Sequence, residues 1–131
     1  MNVLMSIKEN YVEKIISGEK IYEPRRSIFK REVENVIIYA TAPSKEIVGM
    51  FECKEIIKDS PENIWNDFSD KLGIDKESFF KYFEGKDEGF ALKIDNFIPL
   101  KPPKSTDEIK DFRAPQSFKY VDNEKMSIFG F

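Results

Sequence analysis

The sequence predicts an α+β domain built round a curled or barrel-like sheet with short flanking helices. Three observations carry this. Segments of strand character outnumber segments of helical period. Their order is strand, helix, strands, two short helices, strands, without the regular βα alternation of a doubly wound parallel sheet. The chain of 131 residues is 40% hydrophobic and 14% aromatic, with Phe the commonest ring, which is apolar matter enough for a core. A chain of this length is one domain by the usual size prior. It buries about two-thirds of its unfolded surface and needs no covalent staple.

"NVLMSIK" alternates loosely and suits a first strand. In "ENYVEKIISGEK" the period changes: Tyr11, Val12, Ile15 and Ile16 recur at helical spacing. Asn10 or Ser6 would cap this helix over residues 9–17, and Gly18 would close it in the left-handed conformation. "KIYEPRRSI" resumes as extended chain. Pro24 pushes Glu23 to extended geometry and cannot donate to a ladder, so this strand is an edge or carries a bulge. "ENVIIYAT" is β-branched and reads as a central strand. "APS" turns the chain into "EIVGMFECKEIIK", read as one long strand bent or bulged at Gly49.

Ser60 and Pro61 open a helix whose stripe is Ile64, Trp65, Phe68 and Leu72, ended by Gly73. Asp75 caps a second one, with Phe79, Phe80 and Phe83 inward and Gly85 as the stop. "EGFALKIDNFIPL" is a further strand, "KPPKS" a Pro-rich corner and "STDEIKDF" a short helical turn. "RAPQSFKYV" reads as a loop and "EKMSIFGF" as a final extended segment.

Composition excludes several functions. The formal net charge is −3, against a protein that coats DNA through its overall field. No histidine is present, so His-based nucleophile systems and His-ligated metal sites are out. Cys53 is the only cysteine, which excludes an intrachain disulfide and a CxxC zinc site, and it reads as a small buried side chain. Glu52, Glu55, Asp67 and Asp70 have no metal-ligand spacing and read as solvated faces. Neither a metal nor a cofactor is expected. "MNVLMSIKEN" has no apolar core of signal-peptide length, and no stretch approaches a membrane span, so a cytoplasmic protein is expected.

The segment "GEKIYEPRR" concentrates chemistry. Glu23 and Arg25 are two apart in extended chain and project from one face. A bend at Gly18 or Pro24 would bring Lys20 back towards Glu23. A carboxylate accepts from an exocyclic amine, and an arginine fork holds phosphate or a carbonyl edge, so the set suits a nucleotide. The other reading is an ion-pair network tying helix to strand, of a kind that contributes only ~0–1 kcal/mol at a surface.

The pattern Gly18-x-Lys20-x-x-Glu23-x-Arg25 resembles the GxKxxExR signature of the ASCH family, within the PUA-like superfamily. The resemblance covers roughly residues 1–100, with "MSIKENYVEKIISGEK" before the motif and "VIIYATAPSKEIVGMFE" after it. "RAPQSFKYV" resembles the end of small stand-alone archaeal and bacterial members. It implies a PUA-like mixed β-barrel over residues 1–131, with 101–131 as a C-terminal extension packed on it. The motif would line a cleft, and with it the site reading is preferred to the ion-pair network. The implied function is binding of RNA, a nucleotide or a modified nucleoside, in RNA metabolism or transcription-linked regulation. Two other classes stand beside it: an enzyme, either an amidohydrolase of acetylated cytidine nucleosides or a nuclease, and a protein-interaction module. Such amidohydrolases use the motif lysine, a threonine and a later glutamate. Here Lys20 matches, Glu23 stands in the threonine's place, and Asp70 or Glu52 is the later acid by rough alignment. Lys20 and Glu23 are the catalytic candidates if the chain is an enzyme.

Further candidates surround the motif. Lys8 ends the first strand and is either a cleft donor or a helix-flanking surface lysine. Arg26, Lys30 and Arg31 extend the positive charge, with Glu32 and Glu34 to balance it. Phe118 is the stacking candidate, flanked by Gln116 and Ser117, which read hydrogen-bonding edges; plugging the barrel end is the alternative role for that loop.

Overall fold

A computed structural model describes residues 1–131. Strand β1 (Asn2–Ile7) leads into helix α1 (Glu9–Ser17), and β2 (Tyr22–Arg25) follows. Then come β3 (Asn35–Ala40), β4 (Glu46–Glu52), β5 (Ile56–Asp59), α2 (Pro61–Phe68), α3 (Lys76–Tyr82), β6 (Gly89–Lys93), β7 (Asp95–Ser105) and β8 (Phe118–Val121). Short 3₁₀ turns cover Ser69–Lys71, Thr106–Glu108 and Asn123–Phe129.

The strands form two sheets, a five-stranded one in the order β7-β4-β3-β1-β8 and a three-stranded one in the order β2-β6-β5. β1 and β3 run parallel, joined through α1 and β2; all other pairs are antiparallel. The architecture is therefore mixed α+β. No ladder joins the two sheets, so the expected barrel is not closed by hydrogen bonds.

β3 is central and buried on both faces, which explains an unbroken apolar run where a half-buried strand would alternate. One face of the large sheet packs Val3, Met5, Val36 and Ile38 with Val12 and Ile15 of α1 and Leu92 of β6, so this core lies between the sheets. Its other face packs Leu4, Ile37 and Ile47 against Ile109 and Phe129 of the C-terminal segment. A third core joins Tyr22 and Ala91 of the small sheet to Ile64, Leu72, Phe79 and Phe83 around α2 and α3.

Six expectations need correction. "EIVGMFECKEIIK" is two strands in different sheets, β4 and β5, because the chain leaves the large sheet at Cys53–Glu55. "EGFALKIDNFIPL" divides into β6 and β7 at Ile94, and β7 continues through "KPPKS" to Ser105. Its prolines are tolerated because β7 is an edge strand. "RAPQSFKYV" ends in strand β8, and "EKMSIFGF" is mostly 3₁₀ turn, closed by Gly130 at φ 100°. The N-cap of α1 is Lys8, with no side-chain cap; Ser6 instead donates its hydroxyl to the Pro115 carbonyl at 2.6 Å.

Candidate functional site

The stretch from Gly18 to Arg25 is set by backbone geometry first. Gly18 adopts φ 85° and closes α1. The chain then turns back, with the Lys20 amide donating to the Lys14 carbonyl and the Ile21 amide to the Lys71 carbonyl. β2 enters as an edge strand, paired only with β6, so Pro24 costs no ladder bond on its free side.

These constraints bury three charged side chains in contact. Glu23 accepts from Lys20 Nζ at 3.1 Å through Oε1 and from Arg25 Nη2 at 2.8 Å through Oε2. The Lys20 side chain is 1% exposed, and those of Glu23 and Arg25 are 8% and 9% exposed. Lys20 Nζ also donates to the Leu72 carbonyl at 2.6 Å and lies 5.2 Å from the ring centre of Tyr11. Arg25 donates to the Ser6 carbonyl at 2.8 Å and to the Ser117 hydroxyl at 3.3 Å. It thus ties the small sheet to the end of β1 and to the approach to β8. Its Nε–H is buried without a partner.

The charges do not cancel. Arg25 balances Glu23, leaving Lys20 as the surplus buried cation. Burial pushes the Lys20 ammonium below its ordinary value, and the nearby Arg25 charge adds to this, against the pull of Glu23. Burial pushes the Glu23 carboxyl up, but the charges and hydrogen bonds of Lys20 and Arg25 outweigh it and hold the group low. The carboxylate is ionised and occupied, which makes it a poor general base. Burial and the Asp75 charge, offset in part by the Asn10 hydrogen bond, push the Tyr11 phenol up, so it is neutral.

The triad forms the floor of an open cleft of about 470 Å³, within the range of small-ligand sites. Its walls are Ser6, Ile7 and Lys8 at the end of β1, Tyr11 of α1, Pro24, Ile74, and Ser78, Lys81 and Tyr82 of α3. Four cations, Lys8, Lys20, Arg25 and Lys81, face a single carboxylate, Glu23. A chain of net charge −3 therefore concentrates positive charge in one concavity.

Of the candidates read from sequence, Lys8, Lys20, Glu23 and Arg25 line the cleft together. Ser117 adjoins it through its hydroxyl on Arg25. Arg26 and Gln116 are exposed and do not line it, although the Arg26 amide donates to the Tyr82 hydroxyl at 3.2 Å. Phe118 packs edge-on to Phe29 at 4.9 Å and also against Tyr120, an interior role. Neither proposed second acid reaches the cleft. Glu52 pairs with Asn96 and Lys54 beside a different groove, and Asp70 is exposed. The α3 wall was not anticipated. Its signal is Tyr82 and Lys81, polar-tipped positions beside a stripe of phenylalanines.

The family model described as "Domain of unknown function (DUF365)" matches residues 1–122. A Ureaplasma parvum serovar 3 protein named large ribosomal subunit protein uL22 is 30% identical over 90 residues, 69% of this chain and 29% of that protein. The chain thus spans less than a third of that relative's length. A Zymomonas mobilis protein named ASCH domain-containing ribonuclease is 26% identical over 127 residues, 93% of this chain and 85% of the relative. The crystal structure of ASCH from Zymomonas mobilis superposes with a TM-score of 0.89 at 24% identity, covering 97% of this chain and 92% of that one.

Proposed function

The chain belongs to the DUF365 family and has the ASCH fold, and from that premise we propose that its cleft binds a phosphorylated ligand, RNA or a nucleotide. The observation that carries this is the surplus positive charge of the cleft. An unpaired nucleoside is neutral and would leave Lys8, Lys81 and the surplus Lys20 charge unmatched. A phosphate meets them, and guanidinium and ammonium donors form their strongest hydrogen bonds to such oxyanions. The Z. mobilis relative's name supports RNA as the source of that phosphate.

The test is titration of a fluorescently labelled short RNA into the protein, with Lys8→Ala, Lys81→Ala and Arg25→Ala variants. Lys8 and Lys81 are exposed, so their loss should leave folding intact and weaken binding. Loss of the Arg25 contact should cost ~1.5–3 kcal/mol of affinity. RNA binding that is absent, or indifferent to all these changes, overturns the proposal.

A second reading, cleavage of the bound RNA, is favoured by the relative's name and by Lys20, whose depressed pKa brings it nearer to accepting a proton. Robust cleavage abolished by Lys20→Met would establish it. The amidohydrolase reading fares worse: Glu23, ionised between two cations, is the only carboxylate lining the cleft and replaces a hydroxyl.

A further inference from the structure

We propose that Tyr82 stacks on the base of the bound nucleotide and makes the site select a base-bearing ligand over a bare sugar phosphate. This rests on the reading of the cleft as a phosphate site and adds the second half of the ligand.

Tyr82 ends α3, whose register is locked by Phe79 and Phe83, 0% and 2% exposed in the third core. The Tyr82 ring lies 4.9 Å from Phe83 at 74°. Its hydroxyl accepts from the Arg26 amide, in the residue next to Arg25. The ring is therefore held at two points and registered against the strand that presents the cations. It still lines the cleft and is 36% exposed. An immobilised aromatic loses little rotamer entropy when a base stacks on it, so little of the stacking free energy is spent on ordering.

The competing rings are already engaged. Lys20 lies over Tyr11, Arg31 lies 4.8 Å from the ring centre of Tyr120, Phe118 packs between Phe29 and Tyr120, and Trp65 packs on Phe79 and Phe80. Tyr22 and Tyr39 are buried. Tyr11 and Tyr82 both line the cleft, but Tyr11 already carries Lys20 Nζ 5.2 Å from its ring centre; Tyr82 is the lining aromatic with no cation over it, and Ile74 and Pro24 extend the apolar lining beside it.

The experiment compares ribonucleoside 5′-monophosphates with ribose 5-phosphate by calorimetry, on the wild-type chain, Tyr82→Phe and Tyr82→Leu. The wild-type chain should bind the nucleotides about tenfold more tightly than ribose 5-phosphate. Tyr82→Phe should keep that preference. Tyr82→Leu should abolish it while leaving ribose 5-phosphate affinity unchanged. Should Tyr82→Leu fold poorly, Tyr82→Trp serves instead: nucleotides should quench the new indole and ribose 5-phosphate should not. Equal affinity for both ligands in the wild-type chain, or equal losses for both in Tyr82→Leu, overturns the stacking role and spares the phosphate site. Absence of binding by either ligand overturns both.

Discussion

Lys20, Glu23 and Arg25 are in contact, yet their replacements should behave differently, because their charges sum to one excess cation. Glu23→Gln leaves two buried cations facing each other and should destabilise by about 3–5 kcal/mol, the usual cost of breaking a buried pair. Lys20→Met leaves a balanced Glu23–Arg25 pair and should cost far less, while removing ligand affinity. Urea unfolding of both variants checks the contrast, and equal costs would contradict the charge accounting. The pH dependence follows with opposite signs for the two groups. The Glu23 carboxyl lies below its ordinary 4.5, so its stabilisation is complete above that value and is lost as pH falls through the folded-state value. Lys20 lies below its ordinary 10.5, so in the alkaline window beneath 10.5 the unfolded chain holds the proton more firmly, and stability rises with pH there. Glu23→Gln should remove the acid limb and Lys20→Met the alkaline one.

Among the elements, the link between the α2–α3 hairpin and the motif is Gly73. It sits at φ 62°, and a Cβ built there lies 2.9 Å from Lys20 Cβ. Its carbonyl also accepts from Lys14 Nζ at 3.2 Å. Gly73→Ala combines left-handed strain with a clash against a buried lysine, and should cost about 1–3 kcal/mol. Because the lysine must give way, the variant should also lose ligand affinity beyond what its stability predicts. Thermal melts and RNA titration on the same samples would show this. Gly18→Ala is the control: it shares the positive φ, 85°, but meets nothing within 4 Å, so it should lose stability with affinity preserved.

At the scale of the molecule, the cleft is a positive concavity on a negative protein. RNA binding should therefore weaken as salt rises, with a slope of log K on log salt of about −1.4 if two phosphates are held. Folding should respond to salt much less, because the triad is buried and weakly screened. A flat salt dependence of RNA binding would mean that the exposed Lys8 and Lys81 take no part. The cleft exists because two sheets and the α3 wall meet there: Arg25 hydrogen bonds from β2 to Ser6 at the end of β1, and Lys20 from the α1–β2 turn to Leu72. No helix is long and apolar enough to cross a membrane.

Local physics was sufficient for much of this from the sequence. The span of α1, the left-handed Gly18, the caps Ser60 and Asp75, and β2 as an edge strand all depend on residues close together in the chain. The same holds for Glu23 and Arg25 projecting from one face of β2, which their two-residue spacing dictates. Tertiary structure decided the rest. Whether "EIVGMFECKEIIK" is one strand or two depends on which sheet each half joins, and both halves carry the same strand composition. Burial of the triad depends on Leu72 and Gly73, some fifty residues away, closing over Lys20. That closure makes of Lys20, Glu23 and Arg25 a desolvated cluster with a surplus cation, where the same residues at an open turn would stay solvated. Tyr82 reached the cleft in the same way, as an outward residue on a Phe-striped helix whose docking face, not its composition, aims it at the motif. Charge and periodicity are properties of the chain; desolvation is a property of what packs against it, and here the site's chemistry comes from desolvation.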